Sequence, residues 1–187
     1  RWGQITIMND ANANNPDGNV IFSGTKEVAE NLKFDQSRLQ EWLGDSLPSA
    51  GKIIDVAQFK GGQSNPTYKI ITEQKELVLR RKPPGILLPS AHAVDREYKV
   101  MTALKDTAVP VPQTYGLCED EDVIGTSFFV MDFLDGDIYW DLLLEDKSLE
   151  ERKAIYKSKN QVIAELHKVD YTAVGLGDYG KPGNYIA

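Results

Sequence analysis

The sequence predicts an α+β fold in which an antiparallel sheet is followed by helices. Three observations predict it. Three strand-like runs, 53–59, 67–71 and 77–81, follow one another with only short turns between them. A helical pattern and two more strand-like runs come next, at 114–118 and 126–133. A capping box, Ser148-Leu149-Glu150-Glu151, then opens a long helix.

Each element has its own warrant. Residues 9–19 are polar and Asn-rich without periodicity, so residues 1–33 read as a mobile leader. Asp35 is an N-cap for a short helix through Leu39, Trp42 and Leu43, with Gly44 and Pro48 as its stop. The first two strands are joined by Lys60-Gly61-Gly62-Gln63-Ser64-Asn65-Pro66, which is turn chemistry. Glu73 to Glu76 supply the next turn. Short turns imply an antiparallel meander. Lys82-Pro83-Pro84-Gly85 breaks the sheet, because proline cannot donate to a ladder. Ser90 can cap a helix to about Lys105, on which Val94, Glu97 or Tyr98, Met101 and Leu104 recur at helical spacing. An acidic turn, Glu119 to Asp122, joins the last two strands, and Gly136 ends the second. The long helix carries Ile155, Val162, Ile163 and Leu166 on one face and gives way to a glycine-rich loop after Val169. The expected domains are a leader over 1–33, a sheet-rich unit over 34–134, and a linker with helices over 135–187.

Composition narrows the function classes. The 187 residues carry 21 Lys plus Arg against 28 Asp plus Glu, a net charge of −7. With no basic block, a nucleic-acid binder is not expected. An apolar fraction of 41% is enough for a buried core. Cys118 is the single cysteine, which excludes an internal disulfide, and His92 and His167 are the only histidines. No apolar run approaches the roughly 20 residues of a membrane span. No secretory leader is evident, so the expected compartment is the cytosol. The chain starts at Arg1 and its first Met is Met8. That suggests a piece of a longer reading frame, or an arbitrary boundary.

The chemistry-bearing positions are few. Gly61-Gly62-Gln63-Ser64-Asn65 forms a turn whose main-chain N–H groups can approach a phosphate closely. It is not a P-loop, since a strand follows it, and alone it reads as a plain hairpin. Arg80 ends the third strand and Glu97 lies mid-helix. In kinase-like folds a strand cation holds the nucleotide phosphates and is itself held by a helix glutamate. Alternatively Arg80, Arg81 and Lys82 are solvated strand-end charges. Arg80 and Arg81 face opposite sides of the strand, so at most one serves a cleft. The apolar strand through Phe129 and Val130 runs into Met131-Asp132-Phe133-Leu134 and a Gly-marked connector, either a linker that meets adenine through its main chain or an ordinary turn. His167 reads as structural. His92 reads as a phosphate or substrate contact, or as packing at a helix start. Asp132, Asp135 and Asp137 read as solvated linker residues, with no metal assigned.

Three segments resemble the aminoglycoside phosphotransferase-like family. They are Lys60-Gly61-Gly62-Gln63-Ser64-Asn65-Pro66-Thr67-Tyr68, Val78-Leu79-Arg80-Arg81-Lys82-Pro83-Pro84-Gly85 and Leu88-Pro89-Ser90-Ala91-His92-Ala93-Val94-Asp95-Arg96-Glu97-Tyr98. The likeness is greatest to the branch associated with, and sometimes fused to, acyl-CoA dehydrogenases. It covers residues 34–187. The resemblance implies a two-lobed, protein-kinase-like fold, with a five-stranded N-lobe carrying one helix and the start of a helical C-lobe. It implies transfer of the ATP γ-phosphoryl group to a small-molecule hydroxyl, for this branch a hydroxyacyl-CoA. By carry-over, Gly61, Gly62, Gln63, Ser64 and Asn65 cover the phosphates, Arg80 replaces the usual strand lysine, and Glu97 is its partner. Met131, Asp132, Phe133 and Leu134 face adenine. The family's His-Gly-Asp-x-x-x-x-Asn loop and its later magnesium-binding Asp do not occur here. The resemblance therefore places Mg2+ ligands and the catalytic base beyond Ala187 and implies that these residues alone are inactive. The alternative is a nucleotide-binding pseudokinase or scaffolding module.

Overall fold

The computed structural model describes residues 23–61, 64–85, 92–139 and 141–180. Its centre is a six-stranded antiparallel sheet. The strands are β1 (Thr25–Lys26), β2 (Ile53–Phe59), β3 (Thr67–Thr72), β4 (Glu76–Arg81), β5 (Thr114–Cys118) and β6 (Phe128–Asp132), in the spatial order β1-β2-β3-β4-β6-β5. The meander β2-β3-β4 stands as the turn chemistry predicts. The swap of β5 and β6 follows from the helix between β4 and β5, which carries the chain to the far edge before β6 returns beside β4.

Three expectations need correction. The sheet has six strands, not five, because β1 lies in the stretch expected to be a leader. Thr25 and Lys26 pair with Phe59 and Gln58, and a short 3-10 turn at Glu30–Leu32 brings the Leu32 carbonyl to the Tyr68 hydroxyl, 3.1 Å away. Residues 1–22 lie outside the described residues. Helix α1 (Gln36–Ser46) starts where Asp35 accepts from Ser37 N–H, as expected, but runs through Gly44. Burial of Leu39 and Leu43 outweighs the glycine penalty of about 1 kcal/mol. The acidic turn is a one-turn helix, α3 (Glu121–Ile124), capped by Asp120 and ended by Gly125 in the left-handed region, φ 87°. Between them in chain order lies α2 (Val94–Leu104), and Ser90, its expected cap, is outside the described residues.

The two faces of the sheet differ. Tyr68, Ile70, Leu77, Leu79, Phe128 and Val130 point to one side and pack with Leu39 and Leu43 of α1 into the core. Arg81 shares that side and is 3% exposed. Its Nε donates to Thr126 Oγ1 at 2.9 Å, and its guanidinium carbon lies 5.7 Å from the Phe34 ring centre. Nη1 has no hydrogen-bond partner among the described residues. Burial lowers the Arg81 pKa, with the Tyr68 hydroxyl partly offsetting it. Thr126 Oγ1 also donates to the Lys82 carbonyl and Tyr68 to that of Leu32, so a methionine at 81 would strand neither. Removing an unpaired buried charge into a well-filled apolar site is then stabilising. Arg81→Met should raise stability by about 1 kcal/mol, read as a higher urea midpoint at unchanged slope.

The last helix, α4 (Leu149–Lys168), opens with the expected capping box. Glu151 N–H donates to Ser148 Oγ, and Ser148 N–H donates to Glu151 Oε2 at 2.8 Å. Its expected apolar face is largely uncovered, with Ile163 and Leu166 exposed. The hydrogen bonds from Ser148 hold the Glu151 carboxyl below its ordinary value of 4.5. A lowered native pKa gives stability that is present above pH 4.5 and lost as the pH falls through the native value. The protection factors of amides in the first turn of α4, which correct for the pH dependence of intrinsic exchange, should therefore fall on acidification below that pH. Ser148→Ala should remove most of that dependence.

Candidate functional site

The opposite face of the sheet gathers the candidate residues. Cross-strand register places Thr67 beside Arg80 and Arg80 beside Phe129, while Ala57, Lys69, Val78 and Met131 form the adjacent row. Residues two apart on a strand share a face, so both rows look the same way. Helix α2 covers only the β5–β6 half of this face. Tyr98 lies over Phe129, with ring centres 6.0 Å apart, and the Thr102 and Thr114 hydroxyls meet at 2.8 Å.

At the border of the covered half sits Arg80. Its Nε donates to Glu97 Oε2 at 2.5 Å and its Nη2 to Glu97 Oε1 at 3.3 Å. Its Nη1 donates to Thr67 Oγ1 at 3.0 Å. A guanidinium has five N–H donors, so among the described residues two remain unused. Both side chains are partly exposed, at 26% and 35%, which leaves the fork accessible. Glu97 reaches Arg80 because α2 begins at Val94 and turns position 97 toward the sheet. On the other side of α2, Lys99 pairs with Asp178 at 2.8 Å and Arg96 lies over the Tyr179 ring at 4.1 Å. The loop after α4 thus rests on the helix that carries Glu97.

The remaining expected site residues divide. Gly61 and exposed Ser64 lie at the turn between β2 and β3, and Gly62 and Gln63 lie outside the described residues. Asn65 does not face a ligand with its amide. It is 3% exposed, donates from Nδ2 to Glu97 Oε1 at 2.9 Å, and has Oδ1 3.0 Å from His92 Nδ1. Its side chain instead contacts the carboxylate that holds Arg80, which leaves only its main chain for the expected cover of the phosphates. The amide is consumed within the protein.

At the other end of the face, Met131 sits in β6 beside Val78. The Asp132 side chain points to the opposite side, where it accepts from the Tyr115 hydroxyl at 2.5 Å, and Lys75 Nζ donates to the same hydroxyl at 2.8 Å. Burial and the Asp132 bond raise the Tyr115 pKa. Only the main chain of Asp132 is then placed for a ligand. The Phe133 ring stacks near Phe59, centres 6.2 Å apart, and Lys69 Nζ lies 4.1 Å from its centre. Lys69 also pairs with Glu76 at 3.0 Å. Leu134 is 64% exposed. Ala57, Phe59, Met131 and Phe133 are half-buried and Val78 is buried, and together they form an apolar patch on the same face as Arg80.

Sequence reasoning missed Thr67, Lys69 and Phe59. Thr67 was recoverable from register, because a six-residue strand facing β4 across a short turn sets it opposite Arg80. His167 is exposed in the last turn of α4. Among the described residues no three His, Cys, Asp or Glu side chains converge on a metal position. None of the described helices is long and apolar enough to cross a membrane.

Comparisons with known proteins agree with this geometry. Residues 55–187 match the phosphotransferase enzyme family. Acyl-CoA dehydrogenase family member 10 of Mus musculus is 44% identical over 164 residues, 87% of this chain and 15% of that protein. Acyl-CoA dehydrogenase family member 11 of Rattus norvegicus is 41% identical over 165 residues, 86% of this chain and 21% of that one. The chain thus spans about a fifth or less of these relatives' length. A crystal structure from Ralstonia eutropha, assigned as an aminoglycoside phosphotransferase, superposes with a TM-score of 0.71 at 49% identity, covering 82% of this chain and 44% of that one. A sheet with one covering helix and an Arg–Glu pair at its border, together with a family match over most of the chain, leads to one conclusion: the chain belongs to the phosphotransferase enzyme family, within the aminoglycoside phosphotransferase-like branch whose relatives include acyl-CoA dehydrogenase family proteins.

Proposed function

We propose that these residues form the ATP-binding part of a small-molecule kinase that moves the γ-phosphoryl group to a hydroxyl, in the whole protein that of a hydroxyacyl-CoA. The observation that carries the reading is Arg80. It is fixed in plane by Glu97 and Thr67, with two donors unused among the described residues, beside a half-buried apolar patch. A planar fork held in advance can bind phosphate oxygens without losing side-chain freedom at the moment of binding.

In this reading the main chain of Gly61 to Ser64 covers the phosphates and Arg80 holds them. Adenine lies against Val78, Met131 and Phe133 and meets the main chain from Met131 to Leu134. Residues 34–134 are the N-lobe, and 135–187 the linker and first helices of the C-lobe. Mg2+ neutralises the β- and γ-phosphate charge in such reactions. The described residues do not fit an Mg2+ site, so no step here runs through the ion. Neither histidine of the sequence is followed by Gly-Asp. We accordingly place the base and the Mg2+ ligands outside these 187 residues and expect them alone to transfer nothing. The single cysteine suits a reducing compartment, and we place the protein in the cytosol.

The acyl-CoA acceptor rests on the names of the relatives, not on geometry. The test uses the full-length protein with ATP, Mg2+ and a panel of hydroxyacyl-CoAs and aminoglycosides. ADP release stimulated by the hydroxyacyl-CoAs, with a phosphorylated product by mass spectrometry, is the expected result. Stimulation by aminoglycosides alone would shift the acceptor class. ATP binding without transfer to any acceptor would replace the enzyme reading with that of a pseudokinase.

A further inference from the structure

We propose that His92 is a positioning residue for the Arg80–Glu97 pair, acting through the amide of Asn65; the proposal rests on the nucleotide reading above. The Asn65 side chain is nearly buried, and its two ends see different groups. Nδ2 donates to Glu97 Oε1, and Oδ1 faces His92 Nδ1 at 3.0 Å. Flipped, the amide would set its oxygen against a carboxylate oxygen, acceptor against acceptor. Glu97 and His92 select the orientation together, because a carboxylate only accepts, while a proton on Nδ1 needs the oxygen and a bare Nδ1 needs the NH2 group. The Nδ1–H form of His92 therefore reinforces the bond to Glu97, and a bare Nδ1 opposes it.

The consequence reaches Arg80. Glu97 Oε1 receives Asn65 Nδ2 and Arg80 Nη2, and Oε2 receives Arg80 Nε. Three donors on two oxygens fix the carboxylate plane, and that plane fixes the guanidinium and aims its two unused donors. Asn65 also ends the glycine turn, so the chain from 92 through 65 to 97 ties that turn to α2.

The backbone at His92 supports a selected position. Its φ is 59°, in the left-handed region that side-chain-bearing residues seldom enter. Its carbonyl accepts from Val94 N–H at 2.9 Å, which holds the entry to α2. Asparagine tolerates the same φ and carries an N–H donor where the imidazole carries Nδ1–H.

The experiment uses the full-length protein with an unhydrolysable ATP analogue and Mg2+, measured by calorimetry, and the Arg80 Nε–H signal by nitrogen-edited NMR. His92→Ala should weaken binding roughly tenfold, the effect of one lost partly buried hydrogen bond, and move the Arg80 signal toward that of free arginine. His92→Asn should restore both, with affinity within about twofold of the parent. Unchanged affinity and signal in His92→Ala overturn the proposal, as does a His92→Asn variant as poor as His92→Ala. Should Arg80→Ala leave analogue binding intact, the nucleotide reading fails. The Arg80 signal in His92→Ala then decides the positioning role by itself. If His92→Ala does not fold, the ring tautomer of the unaltered protein decides, and an Nε2–H form refutes the proposal.

Discussion

Arg80→Ala is expected to weaken Mg2+·ATP binding by at least roughly 100-fold while leaving the fold intact. Two unused guanidinium donors aimed at phosphate oxygens make charge-assisted bonds of about 1.5–3 kcal/mol each, and every 1.4 kcal/mol is tenfold. A second effect adds to the first. Without Arg80, the Glu97 carboxylate faces the phosphates with only Asn65 to balance it, and it then repels the ligand. Arg80→Lys should fall between, at about tenfold, since an ammonium keeps the charge but cannot hold two carboxylate oxygens and a phosphate in one plane. Stability should change little. The pair is about a quarter to a third exposed, and such ion pairs contribute at most about 1 kcal/mol. Calorimetric titration together with thermal melting separates the two effects. Equal affinity in the parent and the alanine variant would refute the assignment of Arg80.

The neighbouring Arg81 makes that comparison sharper. The two arginines are adjacent in sequence and differ by one strand position, yet one edges an open face and the other is buried beside Phe34 and Tyr68. Substitution at 80 should alter binding with little effect on stability. Arg81→Met should do the reverse. Alternation along a strand predicts this split, and the sequence alone limits the cleft to one of the pair. Which one faces it depends on where α1 packs.

That dependence shows what was legible and why. The meander was legible because each strand alternates and each turn is marked by Gly, Pro or acidic residues. β1 was not, because two exposed residues held by main-chain pairing leave no side-chain pattern. The end of α1 was misplaced because its stop is tertiary. Beyond the burial of Leu39 and Leu43, Gln40 of this helix accepts from Ile53 N–H and donates to the Gly51 carbonyl, tying it to the start of β2. At the site, Arg80 and Glu97 were legible because a strand end and a helix middle are positions with known directions. The role of Asn65 was not, because residues 32 apart meet only through the hairpin and the entry to α2. His92 was flagged as a histidine near a helix start, but its left-handed backbone is invisible in sequence.

Phe128→Ala should be the most destabilising single change considered, by about 3–5 kcal/mol. Phe128 is fully buried at the start of β6, between Arg81 of β4 and Cys118 of β5 in the ladder. Its ring meets Trp42 of α1 edge-on, with centres 4.8 Å apart. The contact needs Gly116, because a Cβ there would lie 3.1 Å from the Trp42 ring. Truncation therefore removes apolar burial, an aromatic pair worth about 0.5–1.5 kcal/mol, and the support that seats α1 on the sheet. The backbone is held on both sides by the ladder and cannot collapse to fill the space, so the cavity persists and its full cost is felt. Against a typical stability of about 5–15 kcal/mol the loss is large but need not abolish folding. Phe128→Leu, which keeps most of the volume, should lose about 1–2 kcal/mol. Urea titrations of the three proteins check the order. A Phe128→Ala loss under about 1 kcal/mol would mean that α1 is not seated on this face, and the orientation that turns Arg80 toward the open side would lose its foundation.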